Sequence, residues 1–407
     1  MKNLVFVVNC GSSSLKFAII DPIKEEKKIF GIAENFGLSN TRISWNLDSQ
    51  NFQKSLKKYS NHEESLKFIK KRILKNNVQI FDNIFCIGHR IVHGGKFFKK
   101  PTLITEDVLK KIEELIPFAP LHNPANLSGI DSMQKEFPKL KKKNVAVFDT
   151  SFFYNLPKIA FLYSIPYYFY KKYSIRKYGA HGISHCYIFQ KMKKFLNISK
   201  KKINLISCHL GNGSSISAIK RGKCIETSMG FTPLEGLMMG TRSGDIDPAI
   251  IFYMQKYLKI SLNEIENILI KKSGLLGISG ISNDCREIEK QYYKNNKFAK
   301  IAVSMYCYKI IKYIGAYIAL IGEKIDAIVL TGGIGENSVL IRSIIINNLE
   351  YFGYKIDVKK NSSKIKKLQR ITKSKNSIFV VPANEELIIA KETYYLIKKN
   401  KNAIKKK

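Results

Sequence analysis

Acidic residues are scarce in this chain. Asp and Glu together number 32 against 69 Lys and Arg, a formal net charge of +37. Such a surplus points to nucleic acid or a membrane surface when it is gathered into a patch. Here lysine runs through the whole sequence, and Ile, Asn, Phe and Tyr are plentiful beside it. That is the bias an AT-rich genome imposes on every protein it encodes, so no specific nucleic-acid partner is expected. Long apolar runs are also missing. Tyr313–Gly322 is closed off by Lys312 and Glu323-Lys324 and reads as a buried helix, which excludes a membrane partner. Leu4–Val8 after Met1-Lys2-Asn3 is too short for a secretory core. The seven cysteines (Cys10, Cys86, Cys186, Cys208, Cys224, Cys285, Cys307) form no CxxC pair and no zinc spacing. An odd, scattered set belongs in a reducing compartment, and the expected location is cytoplasmic. What is present is a 407-residue chain, 45% hydrophobic and 11% aromatic, enough for two domains and a substantial core.

The most informative stretch is Ile203–Lys220. Leu205, Ser207, His209 and then Ser215, Ser217, Ile219 alternate as half-buried strands do, on either side of Gly211-Asn212-Gly213. Two glycines and an Asn permit positive φ, which would turn successive N–H groups towards one point and suit a phosphate. A plain tight hairpin fits the same residues. A second copy lies in Leu4–Asp21, where Gly11-Ser12-Ser13 echoes Gly213-Ser214-Ser215 and Asn9 precedes the turn. Two such hairpins, one per half, imply a duplicated domain closing on a nucleotide.

Several polar residues stand at element ends. Lys16 alternates away from Leu15 and Phe17, facing either the turn's contents or solvent. Ile84–His89 is a strand ending in Arg90-Ile91-Val92-His93-Gly94-Gly95, which puts Arg90 in a crevice or on an ordinary surface. Leu121-His122-Asn123, bracketed by prolines, is expected to be extended, with a helix over Asn126–Phe137. Asn144–Asp149 is a buried strand whose final Asp149 is a cap or a catalyst. Tyr163–Tyr178 interleaves aromatics with lysines, as an interface, a lid or a base-stacking surface. His181 lies between Gly179 and Gly182, poor core material and placed for a ligand; the next helix is expected from His185. Ser228–Pro248 is a glycine-rich loop that carries Arg242, and loops this long are usually functional. Asp284-Cys285-Arg286 starts a helix. Ala327–Leu330 delivers Thr331-Gly332-Gly333-Ile334-Gly335-Glu336-Asn337, which is not the dinucleotide GxGxxG. Pro382-Ala383-Asn384-Glu385-Glu386 caps a final helix.

Taken in order, VVNCGSSSLKF, GHRIVHGG, PLHNP, VFDTSF, YGAHGISH, HLGNGSS, MGFTPLEGLMMGTRSGDIDP, TGGIGEN and PANEE resemble the acetate kinases from Leu4 to about Tyr395. These belong to the actin, sugar-kinase and heat-shock ATPase superfamily. The resemblance implies an α/β, two-domain actin-like fold, a duplicated ββαβαβα-type core with nucleotide in the interdomain cleft. It implies domains at 1–149, completed by a helix over 384–407, and at 150–383, and a homodimer. It implies reversible phosphoryl transfer from ATP to acetate, with Mg²⁺ as cofactor and Mn²⁺ a possible substitute. By family roles Asp149, His181 and Arg242 are catalytic, and Arg90 binds the acid. Val92, Leu121 and Pro233 correspond to a small acyl pocket, and Asn9 and Glu385 to the metal site. The nucleotide positions are Lys16; His209, Leu210, Gly211, Asn212 and Gly213; Asp284, Cys285 and Arg286; and Gly333, Ile334, Gly335, Glu336 and Asn337. Two positions depart from the usual pattern: Ala180 stands where Phe is common, which loosens the expected pocket, and Phe153 where His is common. The alternatives are a propionate or butyrate kinase, or an actin-like ATPase with no acid acceptor.

Overall fold

A computed structural model of the chain describes residues 2–120 and 122–404. Its backbone contacts separate two units, Met1–Tyr154 with Asn384–Lys407, and Asn155–Ala383.

The first unit is built on eight strands: β1 (Leu4–Cys10), β2 (Ser14–Asp21), β3 (Glu26–Glu34), β4 (Arg42–Leu47), β5 (Gln50–Ser55), β6 (Ile84–Ile91), β7 (Thr102–Leu103) and β8 (Asn144–Phe148). Their order across the sheet is β5-β4-β3-β2-β1-β6-β8-β7. The first five form an antiparallel meander, and β6 and β8 then run parallel to β1. Strand alternation sends Phe6, Val8 and Cys10 to a core that contains Met133 and Phe137, from the helix Asn123–Glu136 and its end. Val7 pairs with Gly88 on the other face, where the C-terminal helix Glu385–Ile404 lies against β6. Gly88 is the point of closest approach: a Cβ there would fall 2.5 Å from Thr393 Oγ1 and 2.8 Å from Ile389 Cγ2.

The second unit carries β9 (Leu205–Leu210), β10 (Ser214–Lys220), β11 (Lys223–Thr227), β12 (Ala327–Thr331), β13 (Gln369–Arg370) and β14 (Ile378–Val380), in the order β11-β10-β9-β12-β14-β13. Again a three-strand antiparallel meander is followed by two strands parallel to its first member. The duplication expected from the hairpins is therefore present in the sheet order: β3-β2-β1-β6-β8 in one unit, β11-β10-β9-β12-β14 in the other. Ile206, Cys208 and Leu210 pack into a core with Tyr306, Ile310 and Ile314 of the long helix Lys297–Ile321. Ser207 and His209 face the opposite side, where the helix Gly182–Leu196 hydrogen-bonds to them.

Some local expectations are corrected. Gly11, Gly211, Asn212 and Gly213 do not adopt positive φ. The first turn is closed by Gly11 N–H donating to Ser14 O (2.8 Å), and in the second Gly211 N–H donates to Ser214 Oγ (3.3 Å), so neither amide completes a left-handed nest. Asn123 is helical, not extended: Pro124 sits in the helix's first turn, where its missing N–H is not needed. The helix expected from His185 starts at Gly182. β5, β7, β11 and β13 were not anticipated; β5 is exposed at every position and has no apolar alternation to betray it.

Candidate active site

In the first unit, three parallel strands end side by side. Asn9 is near the end of β1, Arg90 near the end of β6, and Asp149 one residue past β8. Asn9 and Arg90 lie two residues beyond Val7 and Gly88, so alternation puts them on the face that the C-terminal helix covers. That helix opens with Glu385. The Arg90 guanidinium is the meeting point. Its Nη2 donates to Asp149 Oδ2 (2.6 Å), its Nε to Asp149 Oδ1 (3.3 Å) and its Nη1 to Asn9 Oδ1 (3.4 Å), while Glu385 Oε2 lies 3.8 Å from Nε. Asp149 is 1% exposed. Burial alone would lower the pKa of Arg90, but the charges of Asp149 and Glu385 outweigh it and raise it, so the fork is a permanent cation.

The loops behind this cluster are braced by amides that sequence reasoning did not single out. Asn126 Oδ1 accepts from Val92 N–H (3.0 Å) while its Nδ2 donates to Cys10 O (2.7 Å), tying the ends of β6 and β1 together. Asp149 N–H donates to Ile91 O (3.0 Å). Val92 is buried, and Lys16 is exposed on β2 opposite Asn9. Leu121 lies outside the described residues.

In the second unit, the β9–β10 turn is faced on one side by His181 and Arg242. A Cβ on Gly213 would lie 3.2 Å from His181 Cε1 and 3.7 Å from Arg242 Nη1. Glycine at Gly213 thus eases the close approach of His181 and is not there for φ. His181 itself is left-handed (φ 57°) at the start of the helix Gly182–Leu196. Arg242 is half-buried, and that burial lowers its pKa. Its Nη1 donates to Pro233 O (3.3 Å), and no carboxylate lies within ion-pair distance among the described residues. The loop that carries it is pinned from several sides: Gly240 N–H donates to Asn212 O (2.9 Å), Gly236 N–H to Asp245 Oδ1 (2.7 Å), and Tyr313 OH to Asp245 Oδ2 (2.6 Å). Ala180 is buried against Met229 and Met239, so its small side chain sits in a methionine-filled cluster.

Beyond the turn a cavity of about 680 Å³ opens among Gly211, Asn212, Asp284, Arg286, Gly333 and Asn337. Its size suits a nucleotide. Ile334 and Cys285 also line it. Arg286 is forked onto Asp284, the cap of the helix Cys285–Tyr293, at 2.6–3.1 Å. Gly332 (φ +81°) turns the chain over Leu210 O, and a Cβ on Gly333 would meet nothing within 4 Å. Leu210 is a core side chain, and Gly335 is buried. Glu336 Oε1 accepts from Gly332 N–H (3.0 Å) and Ala383 N–H (2.9 Å), so it braces the wall of the cavity. His209 stacks on His181 with ring centroids 4.4 Å apart. Asn283, Glu289 and Ser338 line the cavity too and were missed. Glu289 sits one turn into a helix whose sequence reads as plain amphipathic surface.

The Acetokinase family model matches residues 4–391. The chain belongs to the acetokinase family. Its acetokinase relatives include the acetate kinase of Wigglesworthia glossinidia brevipalpis, 54% identical over 96% of this chain and 98% of the relative. The acetate kinase of Histophilus somni (strain 2336) is 51% identical over the same shares. Among solved structures, a propionate kinase from Francisella tularensis subsp. tularensis SCHU S4 superposes with a TM-score of 0.90 at 43% identity, covering 96% of this chain and 98% of the other. Porphyromonas gingivalis acetate kinase gives 0.88 at 38% identity, over 97% and 100%. The two-unit α/β architecture is thus that of an acetokinase.

Proposed function

We infer that this protein is an ATP:acetate phosphotransferase: the acetate carboxylate attacks the γ-phosphorus of ATP in line, the bond to the β-bridging oxygen breaks, and acetyl phosphate and ADP are released, reversibly. The observation that carries the reading is Arg242, a half-buried guanidinium with no carboxylate partner among the described residues, set against the Gly213 turn and His181. A partly desolvated cation with no carboxylate beside it favours an arriving anion such as a phosphoryl group.

The nucleophile needs no general base, because a carboxylate is already ionised at neutral pH. The obstacle is repulsion. At an effective dielectric of about 20, two unit charges ~4 Å apart repel by roughly 4 kcal/mol. Arg90, locked in orientation by Asp149, offers its fork to the acid. Arg242 neutralises the phosphoryl oxygens and His181 donates a hydrogen bond to them, and an arginine so used is worth about 10³–10⁵ in rate. Asp149 therefore orients a cation and takes no proton. The family roles give the methyl group to Val92, which is buried in the first unit.

Mg²⁺ fits the donors of the first unit. Asn9 Oδ1, Glu385 and Asp149 supply hard oxygen donors that all reach the Arg90 guanidinium, and the neighbouring Asn384 Oδ1 is buried without a hydrogen-bond partner. Asn9 and Glu385 would hold the ion, which when bound supplies charge neutralisation on the β- and γ-phosphates. Six of the seven cysteines are buried as free thiols, which supports a reducing setting. An exposed apolar stripe on the helix Lys297–Ile321 supports a homodimer.

The test is a hydroxylamine trap with ATP, Mg²⁺ and acetate, propionate or butyrate in turn. Acetate should give acyl hydroxamate at the highest turnover. ATP hydrolysis without hydroxamate overturns the reading, and faster turnover on propionate moves the assignment to the longer acid.

A further inference from the structure

Behind His181 runs a chain of buried groups that the mechanism above does not use. Ser215 Oγ lies 3.0 Å from His181 Nδ1 and 2.9 Å from His185 Nε2, and His185 Nδ1 lies 2.9 Å from Ser207 Oγ. Ser207, Ser215 and His185 are each fully buried. The register explains the convergence. Ser207 on β9 pairs with Ser217 on β10, two residues from Ser215, and His181 and His185 are one helical turn apart above them.

We propose that Ser215 and His185 are positioning residues that fix the proton of His181 on Nε2, so that a neutral imidazole donates to the transferring phosphoryl group. The proposal rests on the role given to His181 in the proposed function. The argument is one of counting protons. A serine hydroxyl has one proton, so Ser215 can donate to only one of its two ring nitrogens and must accept from the other. Burial, and then the neighbouring His209, push His185 well below the ordinary histidine range, so it carries a single N–H. Two directions remain. In the outward one, Ser207 donates to His185 Nδ1, His185 Nε2–H to Ser215, and Ser215 to His181 Nδ1; His181 then holds its proton on Nε2. In the inward one every bond reverses and Nε2 is bare.

The Nε2 edge is the one that faces the hairpin turn: a Cβ on Gly213 would lie 3.3 Å from it. A phosphoryl oxygen only accepts hydrogen bonds, so a bare Nε2 would repel it. A second proton on the ring would relieve that, but the groups facing His181 oppose another positive charge. Arg242 borders the same glycine, His209 stacks at 4.4 Å, and His185 stands behind Ser215. The outward chain delivers the donor at no such cost, and its successive bonds polarise one another.

The experiment uses the full chain. In wild type, ¹⁵N-histidine NMR should show His181 with a pyrrole-type Nε2 and a pyridine-type Nδ1, and kcat should be flat between about pH 6 and 8, where histidine titrates. Ser215→Ala should lower kcat about tenfold, with the KM for ATP and acetate nearly unchanged, the effect of one lost hydrogen bond. It should also let His181 divide between its two neutral tautomers, which the ¹⁵N spectrum reads as mixed pyrrole- and pyridine-type shifts at both ring nitrogens. Ser215→Thr keeps the hydroxyl and should restore the single tautomer, which repair of a merely structural defect would not alter. A wild-type His181 protonated on Nδ1 overturns the proposal, even if Ser215→Ala fails to fold, and so does wild-type kcat with an unmixed Nε2–H tautomer in Ser215→Ala. His181→Ala separates the two levels. If it leaves kcat intact, the role of His181 and this proposal fall together; if it abolishes turnover while the tautomer is wrong, only the proposal falls.

Discussion

Arg90 is pulled from three directions at once. Asp149 takes two of its nitrogens, Asn9 a third, and Glu385 stands at 3.8 Å. The fork is therefore held in a single orientation, and its remaining edge is the group an incoming carboxylate can use. Removing the charge of Asp149 should release the orientation while leaving the cation. Asp149→Asn is expected to lower kcat/KM for acetate on the order of 10²-fold, the usual effect of truncating one partner of a buried charge pair. Because the two residues act as a unit, Arg90→Ala with Asp149→Asn should cost little more than Arg90→Ala alone. Steady-state kinetics on the four proteins decides. Additive losses would separate the residues, and recovery of Asp149→Asn at high pH would make Asp149 a base after all. At this scale Arg90, Asp149, His181 and Arg242 stand out in the sequence as candidates, since each is at a strand end, beside a glycine or in a long loop, and the family resemblance gives them their roles. Ser215, His185 and Asn126 were not readable as site residues. Their sequence neighbourhoods look like ordinary strand and helix, and only the fold brings their polar atoms together.

Elements deliver these residues, and one contact bears on the proposed metal position in the first unit. The C-terminal helix rests on β6 through Gly88, where any side chain would collide with Thr393 and Ile389. Glu385 is carried at the start of the same helix. Gly88→Ala should cost about 1–3 kcal/mol, as overpacking does, and lift the helix enough to move Glu385. The expected outcome is an earlier urea midpoint together with a raised Mg²⁺ requirement for half-maximal rate. Full stability with an unchanged Mg²⁺ dependence would show that the helix is not seated as described. The hairpins were legible from their paired runs about a glycine turn, and the parallel strands β8 and β12 from short apolar runs buried on both faces. β5 was not, since Gln50–Ser55 is exposed throughout and is held by its ladder to β4. The turn geometry was misread for a related reason. Glycine was taken as a sign of positive φ, whereas Gly213 serves to admit His181 and Gly88 to admit a helix.

For the whole molecule, charge and apolar surface make opposing demands. Each copy carries a formal +37, so two copies repel. Yet the helix Lys297–Ile321, whose other face fills the core of its unit, exposes Phe298 (57%), Ile301 (39%), Met305 (38%) and Tyr308 (61%) at intervals of three and four. A stripe of that kind on a chain otherwise so rich in lysine is suited to a second copy of itself. If the contact is apolar while the repulsion is long-ranged, salt should strengthen association by screening the repulsion; the Debye length falls from about 30 Å at 0.01 M to about 8 Å at 0.15 M. Sedimentation equilibrium should give a dimer whose Kd falls as NaCl is raised over that range. Ile301→Glu with Met305→Glu should give a folded monomer at every salt concentration. A dimer that dissociates with added salt would be held by ion pairs elsewhere, and a dimer untouched by the double substitution would place the contact on another face.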